Sequence, residues 1–384
     1  MLIVAACLAI FVYGMVASML GTINPGLAAK FQLDNVQTGY IALAQGLGLT
    51  IASVSVGPLM DRKGKKVGLL LGLGFVALAL LGLANASGYS MIVAFMLVMG
   101  VGGGIILTGA NALGSDVSES RRATVLNFLN VFVGLGGLVT PFVAGNLLGG
   151  DAVRIAYGGA GITLAAFLVH IFIRIPAPRP EKATAVKSRD VFKRPILYLF
   201  GAITFLYTAC EFGVWNWLPK YLIAQGIPES RALTILSLGF ALGLLLGRVL
   251  VAPVLLKVSP VTVMLGASSL MAMTTFGMLQ TPDPTTAAAL VFCGGIAMAP
   301  VFPTTISMVG GAFRHGTATA IGFAITCGFS GLTLSSPAIG WLAGSDPKGL
   351  GKGLLVLPLA SLIIFGVNLV LRSRLNTREA EALS

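Results

Sequence analysis

The stretch GPLMDRKGKK, from Gly57 to Lys66, joins two long apolar segments of the chain. These segments, 37–60 and 67–86, are each about as long as a bilayer-crossing helix, which takes ~20 residues. One acidic and four basic side chains crowd into the turn between them. A charged turn between two such segments predicts a membrane protein with this loop at the membrane surface.

The composition of the whole chain supports the same class. Of its 384 residues, 56% are hydrophobic and only 10% are charged, and the mean hydropathy is +0.93. A soluble domain carries about 25% charged residues, so this chain has too few polar side chains to cover a water-soluble globule. Basic anchors beside a membrane explain the net charge of +12 better than nucleic-acid binding does.

Segments long and apolar enough to span a membrane number twelve. They are 2–29, 37–60, 67–86, 90–114, 123–149, 153–174, 195–224, 231–256, 261–280, 286–312, 317–344 and 353–371. With the N-terminus inside, the cytoplasmic loops hold 18 of the 25 Lys and Arg residues, and the opposite loops hold 5. The positive-inside rule therefore predicts an all-α membrane protein of twelve helices with both termini in the cytoplasm.

The chain also repeats itself at an interval of about 195 residues. Tyr13 and Tyr207 are 194 residues apart, and so are Pro25 and Pro219. Parallel repeats of six helices are one of the architectures found in secondary transporters. The repeat therefore predicts two six-helix bundles of similar build.

A stretch rich in proline and charge, residues 175–194, separates the two halves. This composition is typical of a linker. The sequence thus predicts an N-terminal bundle over 1–174, a cytoplasmic linker over 175–194 and a C-terminal bundle over 195–384.

With these features in place, the opening stretch resembles the signature G-x-L-x-D-R-x-G-R/K-K/R of the major facilitator superfamily. The resemblance covers essentially the whole chain, and it implies two bundles around one cavity that opens to each side of the membrane in turn. It also implies a gate in which Asp61 contacts the start of helix 11 near Thr317, where a helix N-terminus favours an anion. In that motif Gly57 would permit close helix approach, and Arg62 would lie beside the gating acid.

Three further stretches resemble the fucose–glucose–galactose branch of that superfamily, which implies a sugar substrate. They are LTGANALGSD with LNFLNVFVGLGG, EFGVWNWLPKYL, and APVFPTTISM. The chain departs from that branch at Leu107, where an acid is expected, and it has no acid between Leu2 and Ala29. Coupling to H⁺ or Na⁺ and facilitated transport therefore both remain open.

Glu211 is the acid that lies deepest in a predicted span, about 16 residues into the seventh. An ionised side chain at the bilayer centre costs about 2.5–3.5 kcal/mol on insertion scales, so it marks a functional site by default. Trp215 shares its helix face and Tyr207 and Asn216 flank that face, which suits a sugar bound by an aromatic ring and a carboxylate. Glu211 is equally a candidate coupling acid, and the structural alternative is pairing with Lys220 or Arg248.

Further polar side chains within spans are candidates for binding the substrate. They are Tyr13, Gln45, Asn130 and Thr304. Buried amides can bind sugar hydroxyls as donors and acceptors, but they also join helices at about 0.6 kcal/mol per hydrogen bond. Both interpretations stay open for each residue.

Three residues are predicted to act in gating through the backbone or through charge. Pro25 and Pro219 lack an amide hydrogen and should bend or break their helices in the outer third. Arg248 lies about eight residues from the predicted inner surface and can extend toward it.

The sequence therefore predicts a multi-pass carrier of the bacterial inner membrane that moves a hexose-like sugar by alternating access, as a facilitated carrier or a cation symporter. Its partners would be a small molecule, the lipid bilayer and H⁺ or Na⁺, without nucleic acid, cofactor or metal, and the family's usual form is a monomer. The alternative is a proton-coupled exporter of drugs or amphipathic metabolites, because GLGGLVTP partly resembles an antiporter motif. An enzyme is not predicted, since no nucleophile–base pair or nucleotide loop is present.

Overall fold

The computed structural model describes residues 2–117, 122–175, 189–281, 283–313 and 317–383. Its first half consists of α1 (Leu2–Phe31), α2 (Asn35–Ser55), α3 (Gly57–Lys63), α4 (Lys65–Ala84), α5 (Tyr89–Val117), α6 (Arg122–Asn146) and α7 (Ala152–Phe172). These described ranges contain helices and no β-strand, as the sequence predicts.

The second half is helical in the same way. It consists of α8 (Arg189–Phe192), α9 (Pro195–Ala224), α10 (Glu229–Thr234), a π-helical turn (Ile235–Ala241), α11 (Leu242–Val254), α12 (Pro260–Gln280), α13 (Pro284–Met298), α14 (Val301–Ala312), α15 (Thr317–Ala343), a 3₁₀ turn (Pro347–Gly349), α16 (Leu350–Leu354) and α17 (Val356–Leu383). Most of the predicted linker, residues 176–188, lies outside the described residues.

Acidic residues in the loops start several of these helices by capping exposed backbone amides. Asp34 and the third residue of α2, Gln37, form a capping box in which each side chain accepts a hydrogen bond from the other's backbone. The Asp151 carboxylate accepts from the first turn of α7, and these bonds hold its pKa below the usual range. The Asp283 carboxylate caps α13. The loop acids therefore set helix boundaries.

Within the described part of the chain, eleven helical segments are long and apolar enough to cross a membrane. They correspond to eleven of the twelve predicted spans. The remaining one, predicted at 37–60, is occupied by α2 and α3, and α2 is a 21-residue helix that does not reach the same hydropathy. Polar side chains such as Gln37 and Gln45 lower its mean hydropathy.

The chain divides into two compact units, and four of the boundaries between them fall inside helical elements. Unit 1 contains Met1–Lys182, Trp215–Leu238 and Ser336–Leu350; unit 2 contains Ala183–Val214, Gly239–Ser335 and Gly351–Ser384. Parts of α9, the π-helical turn and α15 therefore pack with the N-terminal half of the chain. The predicted bundles 1–174 and 195–384 stay a prediction.

Glycines in unit 1 allow its helices to cross with their backbones in contact. A Cβ atom on Gly48 of α2 would overlap the Leu97 carbonyl oxygen of α5. Another on Gly136 of α6 would overlap the Phe11 carbonyl oxygen of α1. Small residues at such crossings are typical of membrane helices, because close packing replaces the missing hydrophobic drive.

The same crossings recur in unit 2, 194 or 195 residues later. Gly243 of α11 lies against the Phe292 carbonyl oxygen of α13, and Gly331 of α15 lies against the Phe205 carbonyl oxygen of α9. The numbers of each pair exceed those of the unit 1 pair by the interval of the repeat. This recurrence supports the predicted internal duplication at the level of helix contacts.

Two predictions about backbone geometry can be compared with the structure. The sequence predicts that Pro25 and Pro219 bend or break their helices; both lie inside continuous helices, α1 and α9, so neither breaks its helix and the bend stays a prediction. Each proline removes one backbone donor, and the flanking turns keep their helical form. Gly57 is not a site of close approach, because a Cβ atom there would meet no described atom within 4 Å.

Candidate functional site

Tyr207, Glu211 and Arg248 are polar residues of unit 2 that interact electrostatically. Tyr207 is 1% exposed, and the Glu211 carboxylate, one turn along α9, acts electrostatically on its hydroxyl. Arg248, on α11, acts electrostatically on the same hydroxyl. The sequence predicts Arg248 near the inner surface, and in the structure its charge acts on the buried Tyr207.

Three further side chains of unit 2, Phe302, Thr304 and Thr208, differ in their contacts. The Phe302 ring lies 6.2 Å from the Tyr207 ring, measured between centroids. Thr304, on α14, is buried, and its hydroxyl has no hydrogen-bond partner. Thr208 faces α15 instead, where its hydroxyl donates to the Gly328 carbonyl oxygen at 2.6 Å. Thr304 thus stays a candidate binding group, while Thr208 joins two helices.

Trp215 belongs to unit 1 and packs between α1 and α6. A Cβ atom on Gly21 would overlap the Trp215 carbonyl oxygen, and one on Gly137 would lie 3.0 Å from the indole ring. Pro219 has no amide hydrogen, so this carbonyl lacks its usual helical donor. The Trp215 carbonyl oxygen points at Gly21, which leaves room for it because glycine has no side chain.

Several predicted binding residues of unit 1 join helices together. The Gln45 side-chain amide donates to the Val16 carbonyl oxygen at 3.0 Å. The Asn216 amide donates to the Ser336 hydroxyl at 2.8 Å. Tyr13 is buried in α1. For Gln45 and Asn216 the helix-joining alternative therefore describes this conformation.

Asn130 differs from these residues because its side chain is exposed. It lies seven residues before Gly137, which is two helical turns, and so shares the α6 face that meets Trp215. An exposed amide on that face is available to a ligand within unit 1.

Helix ends in unit 1 meet in a set of polar contacts, here called the outer contact layer because the topology predicts it on the noncytoplasmic side. The Lys220 ammonium of α9 donates to the Thr38 hydroxyl at 2.9 Å and to the Asp34 carbonyl oxygen at 3.4 Å. The Asn35 amide donates to the Gly344 and Asp346 carbonyl oxygens. The chain segments 215–238 and 336–350 thereby close on α1, α2 and α6.

Asn24 is a residue that the sequence analysis missed. It lies in α1 with 1% of its surface exposed, and neither its amide nitrogen nor its oxygen has a hydrogen-bond partner. Leaving such a group buried and unpaired costs about 1–3 kcal/mol. The signal in the sequence is an asparagine directly before Pro25, deep in a predicted span.

The predicted cytoplasmic gate is only partly described. The side chain of Asp61 lies outside the described part of the structure, and Arg62 is exposed, so the contact with Thr317 stays a prediction. The neighbouring lysines bond to helix carbonyls: Lys65 to Ala112 of α5 and Lys66 to Ile171 of α7. Cations at helix C-termini are favourable, and these bonds fasten the signature loop within unit 1.

The chain matches one protein family and several individual transporters over most of its length. A family model described as Major Facilitator Superfamily matches residues 6–374. The chain is 29% identical to a 3-(3-hydroxy-phenyl)propionate transporter of Escherichia coli, with 88% of each chain covered. It is 24% identical to a cis,cis-muconate transport protein of Acinetobacter baylyi, over 90% of this chain and 88% of the relative. It is also 24% identical to a gentisate transporter of Corynebacterium glutamicum, over 91% of this chain and 78% of the relative.

Solved structures share the fold at low sequence identity. The nucleoside transporter NupG superposes with a TM-score of 0.83 at 14% identity, over 96% of this chain and 99% of that one. The transporter FucP in its outward conformation gives 0.63 at 17% identity, over 95% and 97%. The three relatives above are named for aromatic or unsaturated acids, so the comparisons do not support the predicted hexose branch.

Proposed function

Because this chain belongs to the major facilitator superfamily, whose family model covers residues 6–374, we propose that it carries a small aromatic or unsaturated carboxylic acid across a bacterial inner membrane by alternating access. The observation that carries this proposal is the charge of Arg248, which acts on the buried Tyr207 as the charge of Glu211 does. A sugar has no charge to match a guanidinium, whereas a carboxylate does. The named substrates of the three relatives agree with that chemistry.

The guanidinium of Arg248 is the residue proposed to bind the substrate carboxylate. Arginine pairs with carboxylates through two parallel hydrogen bonds, which fix both position and orientation. The Tyr207 ring, with the Phe302 ring beside it, supplies an aromatic surface in the same unit. A planar acid suits this combination of a charged and an aromatic contact.

Glu211 is proposed as the coupling acid. While it is ionised, its negative charge compensates Arg248 and opposes a second anion nearby. Once Glu211 takes up a proton, the charge of Arg248 is left for the substrate carboxylate. Proton and anion would then cross together, which avoids placing a net charge in the low-dielectric membrane.

The proposed topology keeps twelve spans with α2 as the second, both termini in the cytoplasm, and two six-helix bundles. The polar residues of α2 are then explained by their contacts, since Gln45 bonds to α1 and Thr38 accepts from Lys220. Charge asymmetry between the loops supports the orientation.

The test is uptake into proteoliposomes with and without an imposed proton or sodium gradient. Labelled 3-(3-hydroxyphenyl)propionate, gentisate and cis,cis-muconate are compared with glucose, galactose and fucose, using the wild type, Arg248→Gln and Glu211→Gln. The proposal expects accumulation of an acid under a proton gradient, lost in Glu211→Gln, and loss of acid uptake in Arg248→Gln.

Other results would contradict the proposal. Uptake of a hexose without uptake of any acid would restore the sugar carrier predicted from the sequence. Extrusion of amphipathic drugs by loaded vesicles, with no uptake of acids, would favour the exporter. Accumulation of acid that survives Arg248→Gln would remove the assigned binding residue.

A further inference from the structure

Lys220 is a partly buried cation whose described contacts include no anion. Its ammonium donates to the Thr38 hydroxyl and the Asp34 carbonyl oxygen and lies 5.7 Å from the centre of the Trp217 ring. No carboxylate oxygen of the described residues forms an ion pair with it. The Asp34 carboxylate acts on it from further away, while capping α2.

A lysine ammonium has three donors, and the two acceptors of Lys220 leave one of them unused. Ionisable residues within membrane spans are rare and face the protein interior or a water-filled cavity, where they mark pathways. Lys65 and Lys66 also bond to carbonyl oxygens, but they lie in the loop predicted at the membrane surface. Lys220 lies within a predicted span, so its unused donor is open to an anion in another conformation.

Asn24 supplies an independent observation at the same level of the protein. Gly21 of α1 meets α9 at Trp215 and at Asn216, whose Cα would be 3.4 Å from a Gly21 Cβ. Asn24 lies one turn beyond Gly21, and Lys220 lies one turn beyond Asn216, so both lie just outside this crossing. The Asn24 amide is buried and unpaired, and it can donate to the same anion.

We propose that Lys220, with the Asn24 amide, is the first binding site for the substrate carboxylate on the noncytoplasmic side. When the outer contact layer opens, Lys220 leaves Thr38 and Asp34 and takes the carboxylate in their place. When the layer closes, Thr38 and the Asp34 carbonyl oxygen replace the carboxylate on Lys220, and the substrate leaves this first site. The inference rests on the proposed function, because it requires an anionic substrate.

A latch that only holds the layer closed is the competing explanation for the same contacts. The two differ in their dependence on substrate charge, because a latch alters the conformational equilibrium for every ligand equally. The probes are therefore 3-(3-hydroxyphenyl)propionate and its neutral primary amide. Thr38→Val is the matched control, since it removes the contact with α2 and keeps the cation.

The experiment measures the apparent KM of uptake, and binding to purified protein, for both probes with Lys220→Gln, Lys220→Arg and Thr38→Val. Replacing the charge-assisted bond should raise KM for the acid at least about tenfold in Lys220→Gln. The amide should change less than about twofold, and Lys220→Arg should retain most of the acid affinity. Thr38→Val should keep the preference for the acid over the amide. Each variant is first checked for a monodisperse elution profile.

Four outcomes would overturn the inference. Equal changes for acid and amide, reproduced by Thr38→Val, would assign Lys220 to a latch. An unchanged acid KM in Lys220→Gln, with wild-type acid uptake intact, would remove the site and leave the proposed function standing. Loss of acid affinity in Lys220→Arg as well, with the amide affected equally, would indicate misfolding or a packing role. Absence of saturable acid uptake by the wild type would overturn the proposed function itself.

Discussion

The helices α1 and α9 correspond to each other in the repeat, yet they share few side chains. Tyr13 corresponds to Tyr207 and Pro25 to Pro219 at the interval of 194 residues. At the same interval, three candidate residues of α9 have small or hydroxylated counterparts in α1: Glu211 corresponds to Ala17, Trp215 to Gly21 and Asn216 to Thr22. In the other direction, Asn24 of α1 corresponds to Leu218 of α9. Candidate binding groups therefore lie in both helices, at different positions.

The corresponding residues Gly21 and Trp215 are in direct contact with each other. Pro219 cannot donate a backbone hydrogen bond to the Trp215 carbonyl oxygen, which lies against the bare α-carbon of Gly21. A side chain at position 21 would keep the two helices apart at this level. The close crossing of α1 and α9 therefore requires glycine there.

The largest effect is expected from breaking the crossings that both halves share. Gly136→Ala and Gly331→Ala each drive a methyl group into a backbone carbonyl, in α1 and α9 respectively, and overpacking costs about 1–3 kcal/mol. Thermal unfolding of the purified variants should show similar losses. Gly161→Ala and Gly322→Ala are controls, since a Cβ there meets no described atom within 4 Å. A loss in one half only would count against equivalent scaffolds.

The second prediction concerns the crossing of α1 and α9 at Gly21. Gly21→Ala should slow uptake about tenfold, because a cost of ~1.4 kcal/mol on closing the outer contact layer lowers the closed population by that factor. Uptake rates and labelling of a cysteine placed in this layer would check the expectation. Gly161→Ala should leave both within twofold. A normal rate in Gly21→Ala would mean that transport does not need this contact.

An effect of opposite sign is expected at Asn24. Asn24→Leu removes a buried amide without partners and should raise the free energy of unfolding by about 1–2 kcal/mol. Ser18→Ala is the control on the same helix, because the Ser18 hydroxyl is paired with the Met15 carbonyl oxygen. A lower melting temperature in Asn24→Leu than in the wild type would show that the amide has a partner in the protein as purified.

The smallest effect separates hydrogen bonds between helices from those within one. Thr208→Val removes a bond from α9 to Gly328 of α15 and should cost about 0.6 kcal/mol. Thr22→Val removes a bond to Ser18 within α1 and should cost less. Chemical or thermal unfolding of the two variants, measured side by side, tests this difference in stability. Equal losses of stability would contradict the distinction between bonds that join helices and bonds within one helix.

The fold class, the spans and the duplication were accessible from the sequence because they depend on local properties. Hydropathy over about 20 residues decides whether a helix can enter lipid, and eleven predicted spans match the helices. The second span was the weakest, since its polar residues are explained only by contacts of Gln45 and Thr38 with other helices. The substrate class was not accessible, because motif resemblance pointed to sugars and the relatives to acids.

Some of the predicted binding residues join helices and others do not, and the sequence could not separate the two groups for a related reason. An amide in a span looks the same whether it faces a ligand or a neighbouring carbonyl, and its helix face alone does not decide. Gln45 and Asn216 bond to other helices, while Asn130 is exposed and Thr304 is buried without a partner. Asn24 was not among the predicted residues, because the lack of a hydrogen-bond partner depends on the residues that surround it in the fold.

By itself, the sequence determined an all-helical membrane protein built from a duplicated half, since hydropathy, loop charge and the repeat interval are written along the chain. Only the tertiary structure decided that Gly21 meets Trp215, that the charge of Arg248 acts on Tyr207 and that Lys220 bonds to Thr38 rather than to an acid. Helix hydrogen bonds connect residues four apart, so they follow from local sequence. Which carbonyl meets which side chain depends on how helices cross, and that angle is set jointly by residues far apart in the chain.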